Sequence, residues 1–225
     1  MEFYRILAKA YDEVFPFSET TFGFLRKYAG TSVLDVGCAT GAYVKRFHEE
    51  GCEAEGIEYV PELMKYRINI SAGDMRRLPE SFSGRFSLVY CIGNTLAHCT
   101  DAEDARSILS GFARSLKDGG TAVIQILNYA GILEKRPAEL PLIETEGVRF
   151  KREYRYTDGR IEFIGSLTAG GQAYSSSVML YPLTHTELSE AAVKAGFSSC
   201  VHYGDFAGTP FNEAESFMLV SVLGK

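Results

Sequence analysis

Two carboxylates flanking a glycine turn are the first residues whose types and spacing suggest chemistry. Asp35-Val36-Gly37-Cys38-Ala39-Thr40-Gly41 follows a short apolar run, and Glu58 ends the next one. A glycine turn between a strand and a helix lets backbone N–H groups approach a ligand closely, because no side chain intervenes. A dinucleotide pyrophosphate would call for Gly-x-Gly-x-x-Gly. Position 39 is alanine, and Asp35 fits poorly beside a pyrophosphate. A carboxylate there suits a positively charged group, such as an amine or a sulfonium. Glu58 has the spacing to accept both hydroxyls of a ribose, although a lone acid after a strand also reads as a solvated loop residue. Asp74, in Gly73-Asp74-Met75, is a third acidic candidate, equally readable as a turn cap.

Other chemistries are disfavoured. The five cysteines are odd in number and share no CxxC spacing, so buried thiols are expected rather than a disulfide framework or a metal. Cys91, His98 and Cys99 lie close together, but no second ligand pair accompanies them. A net charge of −6 and a pI near 5.3 argue against a nucleic-acid partner. No apolar run reaches the roughly 20 residues needed to span a bilayer, and the first residues do not pattern as a signal peptide. A cytoplasmic protein without a membrane partner is the expectation.

The elements that must position these residues alternate. Residues 2–29 read as two amphipathic helices broken around Phe15-Pro16-Phe17, with Ser18 as the second N-cap. Strands are expected at Ser32–Val36, Glu53–Ile57, Asn69–Ala72, Phe86–Ile92 and Thr121–Leu127. Helices are expected at Gly41–Glu50, from Pro61, and at Asp101–Leu116, the last stopped by Asp118-Gly119-Gly120. This rhythm implies βαβ crossovers and a mostly parallel sheet. Beyond Ile132 the pattern changes. Residues 148–156 alternate apolar and polar, Asp158-Gly159 turns the chain into Arg160–Leu167, and Gly170-Gly171 turns it into Tyr174–Tyr181. Three antiparallel strands with one polar face would cover something. A helix over Thr184–Ala195 and strands near Ser199–Tyr203 and Glu215–Val222 follow.

Val33-Leu34-Asp35-Val36-Gly37-Cys38-Ala39-Thr40-Gly41 resembles the first motif of class I S-adenosylmethionine methyltransferases. Gly56-Ile57-Glu58, Gly73-Asp74-Met75 and the Leu-Lys-Asp-Gly-Gly run at 116–120 fall where that superfamily carries further motifs. The resemblance implies an α/β, doubly wound, mostly parallel seven-stranded sheet of Rossmann-like type. It also implies a core of residues 1–133 and 183–225, with cap helices at 1–29 and an antiparallel lid at 134–182 after the fifth strand. By the same resemblance, Gly37, Cys38, Ala39 and Gly41 lie against the methionine part of S-adenosylmethionine, with Asp35 near its amino group. Glu58 binds the ribose, Tyr59 and Val60 flank the adenine, and Asp74 beside Met75 holds the adenine amino group. Tyr11, in the N-terminal segment that folds over the cofactor, and Cys91, Ile92 and Gly93 complete the implied contacts.

Cys91-Ile92-Gly93-Asn94-Thr95-Leu96-Ala97-His98 and Leu127-Asn128-Tyr129-Ala130-Gly131 resemble the glycine N-methyltransferase group more narrowly. There the asparagine borders the substrate amine, and an arginine before Asn-Tyr holds the substrate carboxylate. Leu127 stands at that arginine position, so the bidentate fork is lost there, and glycine or sarcosine is not the expected substrate. Arg149 or Arg152 of the lid is the candidate replacement. The sulfonium is already an activated methyl donor, which leaves position and electrostatics to the protein. Asn94, Tyr129 and His98 are the candidate catalytic residues; His98 would matter most for an oxygen nucleophile, which more often needs a base. Tyr4 and Tyr11 could also orient the acceptor. The expected partner is a small-molecule N- or O-acceptor, taken by a monomer or homodimer. A methyltransferase of protein or nucleic acid, a non-catalytic cofactor-binding scaffold and a nicotinamide dehydrogenase are the competing readings.

Overall fold

The computed structural model describes residues 2–225. Three short helices, α1 (Glu2–Leu7), α2 (Tyr11–Val14) and α3 (Glu19–Arg26), precede β1 (Ser32–Val36). There follow α4 (Ala42–Glu49), β2 (Glu53–Glu58), β3 (Ile70–Ala72), β4 (Phe86–Cys91), α5 (Ala102–Ser115) and β5 (Leu116–Leu127). Helix α6 (Tyr129–Lys135) leads into β6 (Glu139–Glu144), β7 (Val148–Thr157), β8 (Arg160–Ala169) and β9 (Gln172–Leu180). Helix α7 (His185–Lys194), β10 (Ser199–Tyr203) and β11 (Met218–Gly224) come last.

One seven-stranded sheet runs β10-β11-β5-β4-β1-β2-β3, and β6 to β9 form a separate antiparallel sheet. The pairings among β1 to β5 are parallel, whereas β11 lies antiparallel to both β5 and β10. Alternate residues of the large sheet feed two cores. Leu34, Val36, Val89 and Ile124 pack with the apolar stripe of α5 (Ala105, Ile108, Leu109, Phe112) and with α7. Val33, Leu88, Tyr90, Val123 and Val220 pack with Phe22 and Leu25 of α3 and Val44 and Phe47 of α4. Both faces are therefore covered, which explains the near-continuous apolar strands. Truncating Phe112, fully buried here, would cost roughly 3–5 kcal/mol. The strand order reverses between β1 and β4, and in open α/β sheets ligands bind at the carboxyl edge of such a switch point.

The doubly wound, mostly parallel sheet is as expected, and several local expectations need correction. The first helix breaks again at Ala8–Ala10, without a proline or glycine, through tight turns (Ala10 N to Leu7 O, 3.0 Å). The break lets Phe3, Leu7, Ala10 and Val14 all pack on Val148, Phe150 and Leu167 of the second sheet. Pro61 opens only one 3₁₀ turn, Pro61–Leu63. Helix α5 stops at Ser115, before the glycines. Leu116 already pairs with Phe86, and Gly119 (φ +71°) forms part of an irregularity before Thr121 rejoins Leu88. Helix α6 was not anticipated, although Asn128 caps it by accepting Gly131 N–H. The second sheet has four strands rather than three: β6 is a short edge strand whose proline, Pro141, weakens the sequence signal. The final strand starts at Met218, not Glu215, because Asn212–Ser216 forms a hydrogen-bonded turn.

Candidate functional site

The loop after β1 is built by backbone bonds to β2. Gly37 and Cys38 N–H both donate to Ile57 O (2.9 and 3.0 Å), and Gly41 N–H donates to Cys38 O (2.8 Å). Gly37 and Gly41 adopt φ +81°, and a Cβ on Gly37 would stand 2.6 Å from Thr95 Cγ2. At Gly56 the backbone itself is ordinary, but a Cβ would lie 2.9 Å from Cys38 Sγ and from Val44 Cγ2. Glycine at 56 is what lets the loop close down on β2.

Glu58 locks the loop from the other side. Its carboxylate accepts Ala39 N–H and Val60 N–H, each at 2.8 Å, and it is only 6% exposed. Burial pushes its pKa up, and the backbone hydrogen bonds oppose that shift. Asp35 is buried more severely. Desolvation holds its pKa well above the ordinary carboxylate value, the nearby Tyr90 hydroxyl lowers it, and the Glu58 charge raises it. Neither Asp35 Oδ1 nor the Tyr90 hydroxyl has a hydrogen-bond partner of normal geometry among the described residues. Such an orphaned carboxylate oxygen is costly unless a ligand cation completes it.

Two cavities meet at this loop. The larger, about 430 Å³, is lined by Asp35, Cys38, Ile92, Asn94, Gln125 and Leu127 and by the inner face of the second sheet. The smaller, about 370 Å³, is lined by Glu58, Tyr59, Val60, Asp74, Met75 and His98. Tyr4, Tyr11, Gly37, Ala39 and Gly93 border both. Gly93 (φ +72°) would carry a Cβ into open space, so its bare backbone keeps the junction between the cavities wide. Asp74 accepts Arg76 N–H (2.9 Å), and the Arg76 side chain is held by Asp104 and by His98 O.

Not every residue singled out from the sequence reaches a cavity wall. Gly41 lines neither cavity; its left-handed backbone opens α4 instead. Cys91 and Tyr129 are also walled off, at 0% and 1% exposure. Tyr129 touches the site through Asn94, whose Nδ2 donates to its hydroxyl (2.8 Å) while Asn94 Oδ1 accepts Leu127 N–H (3.0 Å). His98 faces only the smaller cavity and is bonded to the Tyr4 hydroxyl (2.7 Å). Burial, with the Arg76 charge, lowers its pKa to about 4 and so favours the neutral imidazole in this bond.

Some wall residues escaped the sequence reading. Gln125, 7% exposed in the middle of β5, accepts Gly93 N–H through Oε1 (2.7 Å) and so fixes the junction. Its signal was available: it is the one amide in Thr121-Ala-Val-Ile-Gln-Ile-Leu127. Asp12 accepts from Thr40 Oγ1 (2.9 Å) and from Lys65 Nζ (2.6 Å), and so ties α2 over the loop. No spacing rule would have paired those three. Among the described residues no cluster of metal-ligating side chains occurs, and no helix is long and apolar enough to cross a membrane.

Comparison with known proteins agrees with this geometry. A methyltransferase domain family model matches residues 33–120. The glycine/sarcosine N-methyltransferase of Parasynechococcus marenigrum is 25% identical over 81% of this chain and 68% of its own length. The structure of the CcbJ methyltransferase from Streptomyces caelestis superposes with a TM-score of 0.82 at 22% identity, covering 96% of this chain and 95% of that one. An S-adenosylmethionine-dependent methyltransferase from Clostridium acetobutylicum gives a TM-score of 0.81 at 12% identity, over 98% of both chains. Over residues 33–120 the chain matches a methyltransferase domain, and as a whole it is similar to class I S-adenosylmethionine-dependent methyltransferases, the glycine/sarcosine N-methyltransferases among them. S-adenosylmethionine is its cofactor. The residues fit that group: an orphaned buried carboxylate oxygen for an ammonium, a second buried carboxylate at the end of β2, and an open glycine junction between two cavities.

Proposed function

We propose that this chain methylates an amine nitrogen of a small molecule bound in the larger cavity, beneath the second sheet acting as a lid. One observation carries the reading: the two cavities meet along a shared border of Tyr4, Tyr11, Gly37, Ala39 and Gly93, left open at Gly93. Glu58, Tyr59, Val60, Asp74 and Met75 make the smaller cavity a nucleoside site, with Glu58 on the ribose and Asp74 on the adenine amino group. Asp35 takes the ammonium of the amino-acid tail. S-adenosylmethionine supplies an electrophilic methyl group when bound. The protein's task is then to orient the acceptor and keep water out.

An amine is favoured over an oxygen acceptor because its lone pair needs no base at the moment of attack. The larger cavity offers no free base. Its carboxylates are Asp12, engaged by Thr40 and Lys65, and Asp35 beside Cys38, while no histidine lines it. Asn94, held rigid by Leu127 N–H and Tyr129, presents its edge to the acceptor. Tyr129 is thus a positioning residue, and His98 acts through Tyr4. Phe3, Phe150 and Phe163 line the cavity beneath the second sheet, which favours a small molecule over a polymer chain. The relatives named for glycine and sarcosine favour nitrogen as well. We assign residues 1–133 and 183–225 to the catalytic core and 134–182 to the lid.

A screen for S-adenosylhomocysteine formation across amines, phenols, thiols and carboxylic acids tests this reading. Amines should be turned over. Phenols or thiols as the only productive class would overturn it.

A further inference from the structure

The inner face of the second sheet carries a charge that its pattern does not call for. Along β7, Val148, Phe150, Tyr154 and Tyr156 point inward, and Arg152 sits among them; Arg149 and Lys151 point outward, paired with Glu144 and with Glu139 and Glu153. Arg152 has no carboxylate within salt-bridge distance among the described residues. One of its donors, Nη2, reaches Pro141 O (2.6 Å), at the register shift between β6 and β7. Its Nε is buried without a partner, and so is the hydroxyl of Tyr154, a residue only 5% exposed. Both line the larger cavity, together with Leu127, Leu140 and Phe163. Directly across the ladder from Arg152 stands Gly165, where a Cβ would collide with the Phe3 and Phe150 rings. The glycine admits the Phe3 ring, so the cap helix closes over a cavity that holds an uncompensated guanidinium.

Arg152 as a whole is half-buried, but enclosing its Nε without a partner and without a nearby anion has a cost that an apolar residue of similar size would avoid. A planar fork with free donors is shaped for a two-oxygen anion. Resting on the reading of the larger cavity as the acceptor site, we propose that Arg152, with the Tyr154 hydroxyl, binds a carboxylate carried by the methyl acceptor. The acceptor class is then an amino acid or a longer amino carboxylate, whose amine lies towards Asn94 and whose acid end docks on the second sheet. This sheet-borne receptor replaces the strand-end position filled here by Leu127. The other source of a carboxylate is the amino-acid tail of the cofactor, and the test separates the two.

Three measurements on wild type, Arg152→Met and Arg152→Lys decide the matter. First, Arg152→Met should melt about 2–5 °C higher than wild type, because it removes a charge with no partner; a lower melting temperature would mark the arginine as structural and overturn the proposal. Second, the affinity ratio of S-adenosylhomocysteine to 5′-methylthioadenosine, which lacks the amino-acid tail, should be the same in wild type and Arg152→Met. A collapse of that ratio assigns Arg152 to the cofactor carboxylate and overturns the acceptor proposal. Third, matched amino acids and their amides are compared in the S-adenosylhomocysteine assay. Wild type should prefer the acids by at least about thirtyfold in kcat/KM, Arg152→Lys by less, and Arg152→Met not at all. A wild-type ratio near one overturns the proposal while leaving amine methylation standing. If phenols rather than amines turn over, the amine reading fails, and hydroxybenzoates against their amides then decide Arg152.

Discussion

Glu58 offers the sharpest quantitative test, because its carboxylate is asked to do two things at once. In the protein alone it accepts two backbone N–H groups at 2.8 Å while almost fully buried. Glu58→Gln keeps the shape but turns an amide NH₂ towards one of those donors, leaving a buried N–H unpaired at about 1–3 kcal/mol. Glu58→Ala removes both charge-assisted bonds, each about 1.5–3 kcal/mol, and could compromise folding, so the glutamine variant carries the test. If the remaining lone pairs hold a ribose hydroxyl, Glu58→Gln should also weaken S-adenosylhomocysteine by about 1.5–3 kcal/mol, roughly ten- to 150-fold. A cycle against the ligand separates ribose binding from loop damage. Calorimetry is run on both proteins with 5′-methylthioadenosine and with its 2′-deoxy analogue. Loss of the 2′-hydroxyl should cost wild type at least about 1 kcal/mol more than the variant. Equal losses in the two proteins would refute the ribose assignment and leave Glu58 as a loop clamp only.

Three further outcomes follow from the same geometry. Burial holds the Asp35 acid well above 3.8, and a ligand ammonium would draw it back down, so S-adenosylhomocysteine should bind with proton release and more tightly as pH rises towards the Asp35 pKa. Calorimetry in buffers of different ionisation enthalpy reads the proton; 5′-methylthioadenosine, having no ammonium, should release none, and equal release by both ligands would remove Asp35 from that role. His98 is lowered from 6.5 to about 4, so its neutral burial stabilises the fold fully above pH 6.5 and loses that contribution as pH falls through 6.5 towards 4. The 2.5-unit window corresponds to at most about 3 kcal/mol, and urea melts of His98→Asn should show a shallower pH slope than wild type there. An unchanged slope would contradict the burial argument. Gly56→Ala puts a methyl 2.9 Å from Cys38 Sγ and Val44 Cγ2 and should cost about 1–3 kcal/mol by overpacking. S-adenosylhomocysteine affinity should fall with it, and an intact affinity would show that the loop position is not critical.

The residues proposed for the cofactor were legible as candidates because their determinants are local. Asp35, Gly37, Glu58 and Asp74 each sit at the end of a strand or in the turn after it, and apolar runs mark those strands clearly. The acceptor half was not, because it is assembled from segments distant in sequence. Arg152 reaches its cavity only through the pairing of β6 with β7, and Phe3 reaches it through the glycine at 165 on the neighbouring strand. The sequence reading left Arg149 and Arg152 equivalent; the burial pattern along β7 and the Arg149–Glu144 pair separate them. Helix α6 and strand β6 were missed for a different reason. Both are short, stand beside proline or asparagine, and are held by tertiary contacts rather than by a periodic apolar stripe.

A crystal structure of the protein with S-adenosylhomocysteine is the most direct measurement of the central claim. The account predicts ribose hydroxyls on Glu58, the adenine amino group on Asp74, and the ligand ammonium on Asp35. It also predicts the sulfur at the Gly93 junction, facing Asn94 and the larger cavity. A nucleoside seated in the larger cavity, or a ribose away from Glu58, would contradict it.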